Sequence, residues 1–193
     1  MRIVAGSLKG RNIIVPQGLE LRPTSDRVRE AIFNILSHGI KNFDVEGANV
    51  LDLFAGTGAL GIEALSRGAR SAVFVESSAA ARAVIQENVL ALGLGGVTRI
   101  FRRDATSLGV PQGRDRYSLV LADPPYGKQL AEAALTSAIE GGWLTPGAVV
   151  IVEEQASSPF LPTAPLVEVD RRIYGGTTVV IARLPVMDGA ASA

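Results

Sequence analysis

The sequence predicts an α/β fold: a mostly parallel, seven-stranded sheet with helices on both faces and an antiparallel hairpin at one edge. Three features predict it. From residue 49 onwards, short runs that are apolar throughout alternate with helical stretches, the pattern of a parallel sheet covered on both sides. A glycine-rich turn, "FAGTGALG", joins the first of these runs to the helix after it. The last two strand-like runs, in "VEVDRRIYGGTTVVIARL", meet at Gly175-Gly176, a two-residue hairpin connection.

At the N-terminus, "RIVAGSLKGRNIIVP" reads as two short strands about a glycine-containing turn, a small β-hairpin arm within residues 1–22. In "LRPTSDRVREAIFNIL", Val28, Ala31, Ile32, Ile35 and Leu36 recur at the spacing of one buried helix face. Pro23, Thr24, Ser25 and Asp26 supply helix-start chemistry, and Arg27 and Arg29 flank the apolar face. Strands are expected at 49–54, 72–76, 98–101, 118–122 and 148–153, with helices near 59–67, 78–92 and 128–140. The body then spans residues 23–184, and "PVMDGAASA" (185–193) reads as a frayed tail.

Composition narrows the chemistry. The 193 residues, 47% hydrophobic and 20% charged, suit one globular domain with a full core. Lys plus Arg and Asp plus Glu are equal at 19 each, so net charge implies no polyanionic partner. Residues 1–42 nevertheless hold seven basic and three acidic residues, 7 − 3 = +4, a locally basic arm on a body of −4. Cysteine is absent and histidine occurs once, at His38, which excludes thiolate nucleophiles, disulfides, serine hydrolase triads and histidine-based zinc sites. No metal is expected. The N-terminus lacks the apolar segment of a signal peptide, and no run reaches membrane-spanning length, so a cytoplasmic protein is expected.

The glycine turn carries the first functional signal. Gly56, Gly58 and Gly61 have the G-x-G-x-x-G spacing, and Glu76 ends the next strand 20 residues after Gly56. This is the spacing of a dinucleotide site, with an acid for ribose hydroxyls; it is also what any sharp strand-to-helix turn requires. Asp52 argues against a pyrophosphate. It lies in the strand end four residues before Gly56, with Phe54 and Ala55 between, where it would repel a phosphate and suit an ammonium group. S-adenosylmethionine carries an ammonium and an adenosine and no phosphate.

The second signal is "LADPPYG" (121–127), in which an apolar run ends in an acid, two prolines and a tyrosine. Pro124 and Pro125 keep their carbonyls and have no N–H, while the Asp123 carboxylate only accepts. The result is an acceptor-rich patch at a strand end, suited to a ligand that presents N–H groups.

Taken in order, "LDLFAGTGALGIEALSRGA", "FVE", "RDA" and "DPPY" resemble the strand-end motifs of Rossmann-like S-adenosylmethionine-dependent methyltransferases. With "RIVAGSLKGR" and "LRPTSDRVREAIFNIL" upstream, the chain resembles the bacterial RsmD-type 16S ribosomal RNA guanine-N2 methyltransferases over residues 1–184. That resemblance implies S-adenosyl-L-methionine as cofactor and a Rossmann-like methyltransferase fold. It places Asp52, Phe54, Gly56, Thr57 and Gly58 at the methionine part of the cofactor, and Glu76 on the ribose. Ser77, Asp104 and Ala105 then border the adenine, and Asp123 faces the sulfonium. It further implies that Asp123 and Pro124 accept the two hydrogens of a base's exocyclic amine, with Pro125 and Tyr126 completing the motif and Tyr126 stacked on the base. The implied partner is 16S ribosomal RNA in the small subunit or its assembly intermediate, with no membrane and a monomeric enzyme. Arg2, Lys9, Arg11, Arg22 and Arg27 are candidate phosphate contacts.

Guanine over adenine comes from the resemblance alone, because the acceptor patch does not choose between amines. Adenine-N6 methylation of DNA and methylation of a protein amide remain open at this stage, and more remotely so does a nicotinamide oxidoreductase on the same glycine loop. A chain of 193 residues with only a hairpin arm has no domain for flipping a base out of a duplex, which favours a substrate that presents the base itself.

Overall fold

The computed structural model describes residues 1–15, 26–111, 115–125 and 128–186. Its helices are α1 (Asp26–His38), α2 (Ala59–Ser66), α3 (Ala79–Leu92) and α4 (Leu130–Glu140). Its strands are β1 (Asn49–Leu53), β2 (Ser71–Val75), β3 (Thr98–Phe101), β4 (Tyr117–Ala122), β5 (Leu144–Gln155), β6 (Val167–Tyr174) and β7 (Thr177–Arg183). The seven strands form one sheet in the order β3-β2-β1-β4-β5-β7-β6. Strands β1 to β5 pair in parallel, and β7 runs antiparallel between β5 and the edge strand β6.

Alternate residues of β1, β2, β4, β5 and β7 feed two cores. On one face Val50, Phe74, Leu121, Ile151 and Ile181 meet α1, α2, α3 and the N-terminal arm. On the other, Leu51, Val73, Val120, Val150 and Val180 meet α4 and Trp143. Trp143 is fully buried, stacks on Tyr117 at 6.0 Å, and donates its Nε1–H to the Gly109 carbonyl at 2.7 Å. A large ring can sit in the core here because its polar edge is satisfied.

From residue 49 onwards the expected strands and helices all occur, with ends shifted by a few residues; the largest change is β5, which begins four residues before the expected 148. The arm is less regular than expected. Its two limbs form a hairpin through Ile3 N–H to the Arg11 carbonyl, Gly10 N–H to Ile3 and Ile13 N–H to Met1. Among the described residues only the Arg2–Asn12 bridge has ladder geometry, and the Val4, Ala5 and Ile14 N–H groups are spent on α2 and α3. In α1 the buried face is Val28, Arg29, Ile32, Phe33 and Leu36, with Ala31 and Ile35 only half-buried. Arg29 therefore does not flank the apolar face: it lies inside it. The sequence 16–25, with Arg22 and the helix-start residues Pro23, Thr24 and Ser25, lies outside the described residues, as do Tyr126 and the tail from residue 187.

Candidate active site at the sheet switch point

β1 sits where the strand order reverses, since the chain passes to β2 on one side and later returns to β4 on the other. In open α/β sheets ligands bind at that crevice, beyond the carboxyl ends of the strands. The register makes the crevice specific. Leu53, the last residue of β1, pairs with Val75 of β2 and with Ala122 of β4. The next residues of the three strands therefore leave the sheet side by side: the glycine loop from Phe54, Glu76 after β2, and Asp123 after β4.

The loop is built for close backbone approach. Phe54 has a positive φ of 58°, sparsely populated by residues with a side chain, and Gly56 and Gly58 have φ of 56° and 79°. A bulky residue held in that conformation at a strand end marks local strain of the kind that collects at functional sites. Gly58 caps α2 in the left-handed conformation. Gly61 is glycine for packing: a Cβ there would lie 2.5 Å from the Phe74 ring and 3.0 Å from Asp52 Oδ2.

Asp52 is 2% exposed and accepts the Gly61 N–H at 2.9 Å through Oδ2. Burial pushes its carboxyl up to about 8, against the lowering effect of the Gly61 hydrogen bond, and the charge of Glu76 adds to the rise. The acid thus lies beneath the glycine loop and supports the first turn of α2.

Glu76 is half-buried and bridges the loop to α3. One carboxylate oxygen accepts the Gly56 N–H at 3.0 Å and the other accepts the Ser78 N–H at 2.8 Å. Each oxygen has a second lone pair, so hydroxyl donors can still be taken up. Ser78 caps α3, and Arg82 donates to the carbonyls of Glu76 and Ser77, which fixes the turn.

Asp104 is exposed and folds its Oδ1 back onto Thr106, accepting from the N–H at 2.8 Å and the hydroxyl at 2.7 Å. Those bonds hold its carboxyl below the usual range. It caps the turn Ala105–Ser107, with Ala105 buried beneath it. At the opposing wall Asp123 is half-buried, Pro124 buried and Pro125 exposed.

The structure also assembles a polar cluster that the sequence reading did not identify. Arg29 is fully buried, and its guanidinium donates to Glu63 Oε2 at 3.4 Å, to Asp26 at 2.8 Å and to the Arg2 carbonyl. Glu63, also fully buried, accepts the Val4 and Ala5 N–H groups at 2.8 and 3.0 Å and Arg67 Nε at 2.9 Å. The readable signal was one acid in the apolar segment "ALGIEALS" of α2 and one arginine in the apolar face of α1. Of the candidate phosphate contacts, Arg2, Lys9 and Arg27 are exposed, while Arg11 donates to the Ala91 carbonyl at 2.8 Å. Among the described residues no group of three or more His, Cys, Asp or Glu could hold a metal ion, and no helix is long and apolar enough to cross a membrane.

Comparison with known proteins shows the family of the chain. A family model described as conserved hypothetical protein 95 matches residues 1–183. Ribosomal RNA small subunit methyltransferase D of Escherichia coli K12 is 38% identical over 165 residues, 86% of this chain and 79% of its own length. The protein of the same name from Haemophilus influenzae is 35% identical over 163 residues, 83% of this chain and 82% of its own. Among solved structures, yhhF from Escherichia coli has a TM-score of 0.80 at 32% identity, covering 97% of this chain and 99% of that one. An RNA methyltransferase from Salinibacter ruber, solved with S-adenosyl-L-homocysteine, shares the fold at a TM-score of 0.65 and 16% identity, over 88% of this chain and 97% of that one.

Proposed function

Because the chain belongs to the conserved hypothetical protein 95 family over residues 1–183, we propose that it transfers a methyl group from S-adenosyl-L-methionine to the exocyclic N2 amine of a guanine in 16S ribosomal RNA. The observation that carries the proposal is convergence: the register of β1 with β2 and β4 brings the glycine loop, Glu76 and the Asp123-Pro124 acceptors to one end of the sheet. Relatives named as small-subunit ribosomal RNA methyltransferases support the substrate class.

The residues present fit that cofactor. The backbone between Gly56 and Gly58 turns through two positive-φ positions, and neither glycine has a side chain to hold a ligand away from the main chain. Glu76 has lone pairs left for the two ribose hydroxyls, and Asp104 has Oδ2 left for an exocyclic amine after Oδ1 is used on Thr106. Asp52, buried with one oxygen on Gly61, supplies negative charge under the loop toward an ammonium group once it is ionised. Ser77 and Ala105 border the adenine side, and Phe54 and Thr57 complete the loop wall. When bound, S-adenosylmethionine supplies a methyl group already activated on a sulfonium, so no side chain has to generate the electrophile.

The chain's own part is alignment. The Asp123 carboxylate and the Pro124 carbonyl each accept one hydrogen of the target amine, which directs the nitrogen lone pair into the crevice. The same oxygens stabilise the positive charge that grows on nitrogen, with no reorganisation at the moment of reaction. Pro125 keeps the wall rigid and free of competing donors. Tyr126, which lies outside the described residues, is assigned to stack on the base. Arg2, Lys9 and Arg27 are assigned to RNA phosphates, with Arg22 beyond the described arm; Arg11 is already engaged on α3.

Incubation of the chain with tritiated S-adenosylmethionine and separate pools of small-subunit particles, naked 16S RNA and DNA tests the substrate. Label on guanine N2 in RNA is expected. Label confined to DNA or protein contradicts the proposal.

A further inference from the structure

Asn88 is fully buried in α3, and its side chain bonds to residues outside that helix. Its Oδ1 accepts the Ile14 N–H at 2.7 Å and its Nδ2 donates to the Ile14 carbonyl at 3.2 Å, so the amide pairs with that residue's main chain as a neighbouring strand would. The same nitrogen donates to the Thr57 carbonyl at 3.0 Å. Thr57 is the residue between Gly56 and Gly58, and it is 5% exposed. The Gly58 N–H on the other edge of the Thr57 carbonyl's peptide plane donates to the Ala55 carbonyl at 2.7 Å, and Asn88 supplies the partner of the buried carbonyl itself, between two glycines in the left-handed region.

The arm in turn sets Asn88. Ile14 lies near the end of the described part of the arm, and among the described residues two of the three hydrogen bonds of the amide run to it. The rest of the arm is fastened to α2: Ser66 accepts the Leu8 N–H on Oγ at 3.0 Å and donates that hydroxyl to the Ala5 carbonyl at 2.5 Å, while Glu63 holds Val4 and Ala5. A chain of polar contacts therefore leads from the arm through Asn88 to the one loop where the cofactor's backbone contacts are made.

Resting on the cofactor reading above, we propose that Asn88 is a positioning residue that couples the docked arm to the glycine loop, so that the arm sets cofactor affinity without touching the cofactor. The arm then belongs to the cofactor site as well as to the candidate RNA surface. By linkage, whatever tightens the arm on the body also tightens the cofactor, and the cofactor tightens the arm.

The test is a double-mutant cycle in the full chain, read by calorimetry with S-adenosylhomocysteine. Asn88→Ala removes the coupling amide, Ser66→Ala loosens the arm, and Val89→Ala, a truncation in the adjacent core position, matches the loss of stability with the amide network intact. Asn88→Ala is expected to raise the Kd about tenfold over Val89→Ala, the loss expected for a buried hydrogen-bonding group. Ser66→Ala is expected to raise the Kd several-fold on its own and to add nothing to Asn88→Ala. A Kd for Asn88→Ala equal to that of Val89→Ala, or independent effects of Ser66→Ala and Asn88→Ala, would overturn the coupling. A wild-type chain that binds no S-adenosylhomocysteine would overturn the cofactor reading and this inference with it.

Discussion

On the proposed cofactor role, Asp52 serves both the fold and the ligand, with opposite pH dependences. Its carboxyl is raised to about 8 from an ordinary 3.8, first by burial, so the folded chain holds this proton more tightly than the unfolded chain does. The stabilisation from this group is complete below about pH 4 and is lost progressively as pH rises to about 8. Under the proposed function, cofactor affinity is expected to run the other way, since an ammonium group is held by the ionised form. Thermal unfolding between pH 6 and 9 is expected to show the chain losing stability toward pH 8, while S-adenosylhomocysteine binds more tightly over the same interval. In Asp52→Asn both slopes are expected to flatten. Stability that rises from pH 6 to 8 in the wild type but not in Asp52→Asn contradicts the assignment. The residue itself was readable, as an acid in an apolar strand end. Its place beneath the loop, on Gly61, was not, because the packing of Phe74 against Gly61 is set by tertiary contact between β2 and α2.

At the scale of elements, the arm is the least expected part. Its strand pattern was visible, but its anchorage was hidden because a charged residue in an amphipathic helix is ordinarily read as solvated. Arg29 and Glu63 invert that expectation. Each is buried with its charge partnered: Arg29 by Glu63, Asp26 and the Arg2 carbonyl, and Glu63 by Arg29, Arg67 and the Val4 and Ala5 N–H groups. Gly6 packs directly against α2: it has φ +82°, and a Cβ would lie 1.8 Å from the Ser66 carbonyl oxygen. Gly6→Ala is expected to lift the hairpin and cost on the order of 2–4 kcal/mol, since it strips donors from a buried carboxylate. Hydrogen exchange is the readout, with Val4, Ala5, Ser7 and Leu8 amides losing protection while β1 and β4 keep theirs. Unchanged protection at those four amides contradicts the anchorage.

At the scale of the whole molecule, strand and helix positions followed from periodicity because strands buried on both faces are apolar throughout and the turns between them carry glycine. Strand order is a different kind of information. No local pattern in "NVLDLF" or "SLVLA" says that these two segments, almost seventy residues apart, lie side by side. The motifs "FAGTG" and "DPPY" could be named from sequence, and their contact through β1 and β4 is what makes them one site. The claim that everything else serves is that the Asp123 carboxylate orients the accepting amine at that junction. Its most direct measurement is a paired assay of Asp123→Ala: calorimetric binding of S-adenosylhomocysteine beside single-turnover methylation of small-subunit particles. Binding within a few-fold of wild type with methylation slowed by about 10²- to 10³-fold is the expected result. Methylation at the wild-type rate contradicts it.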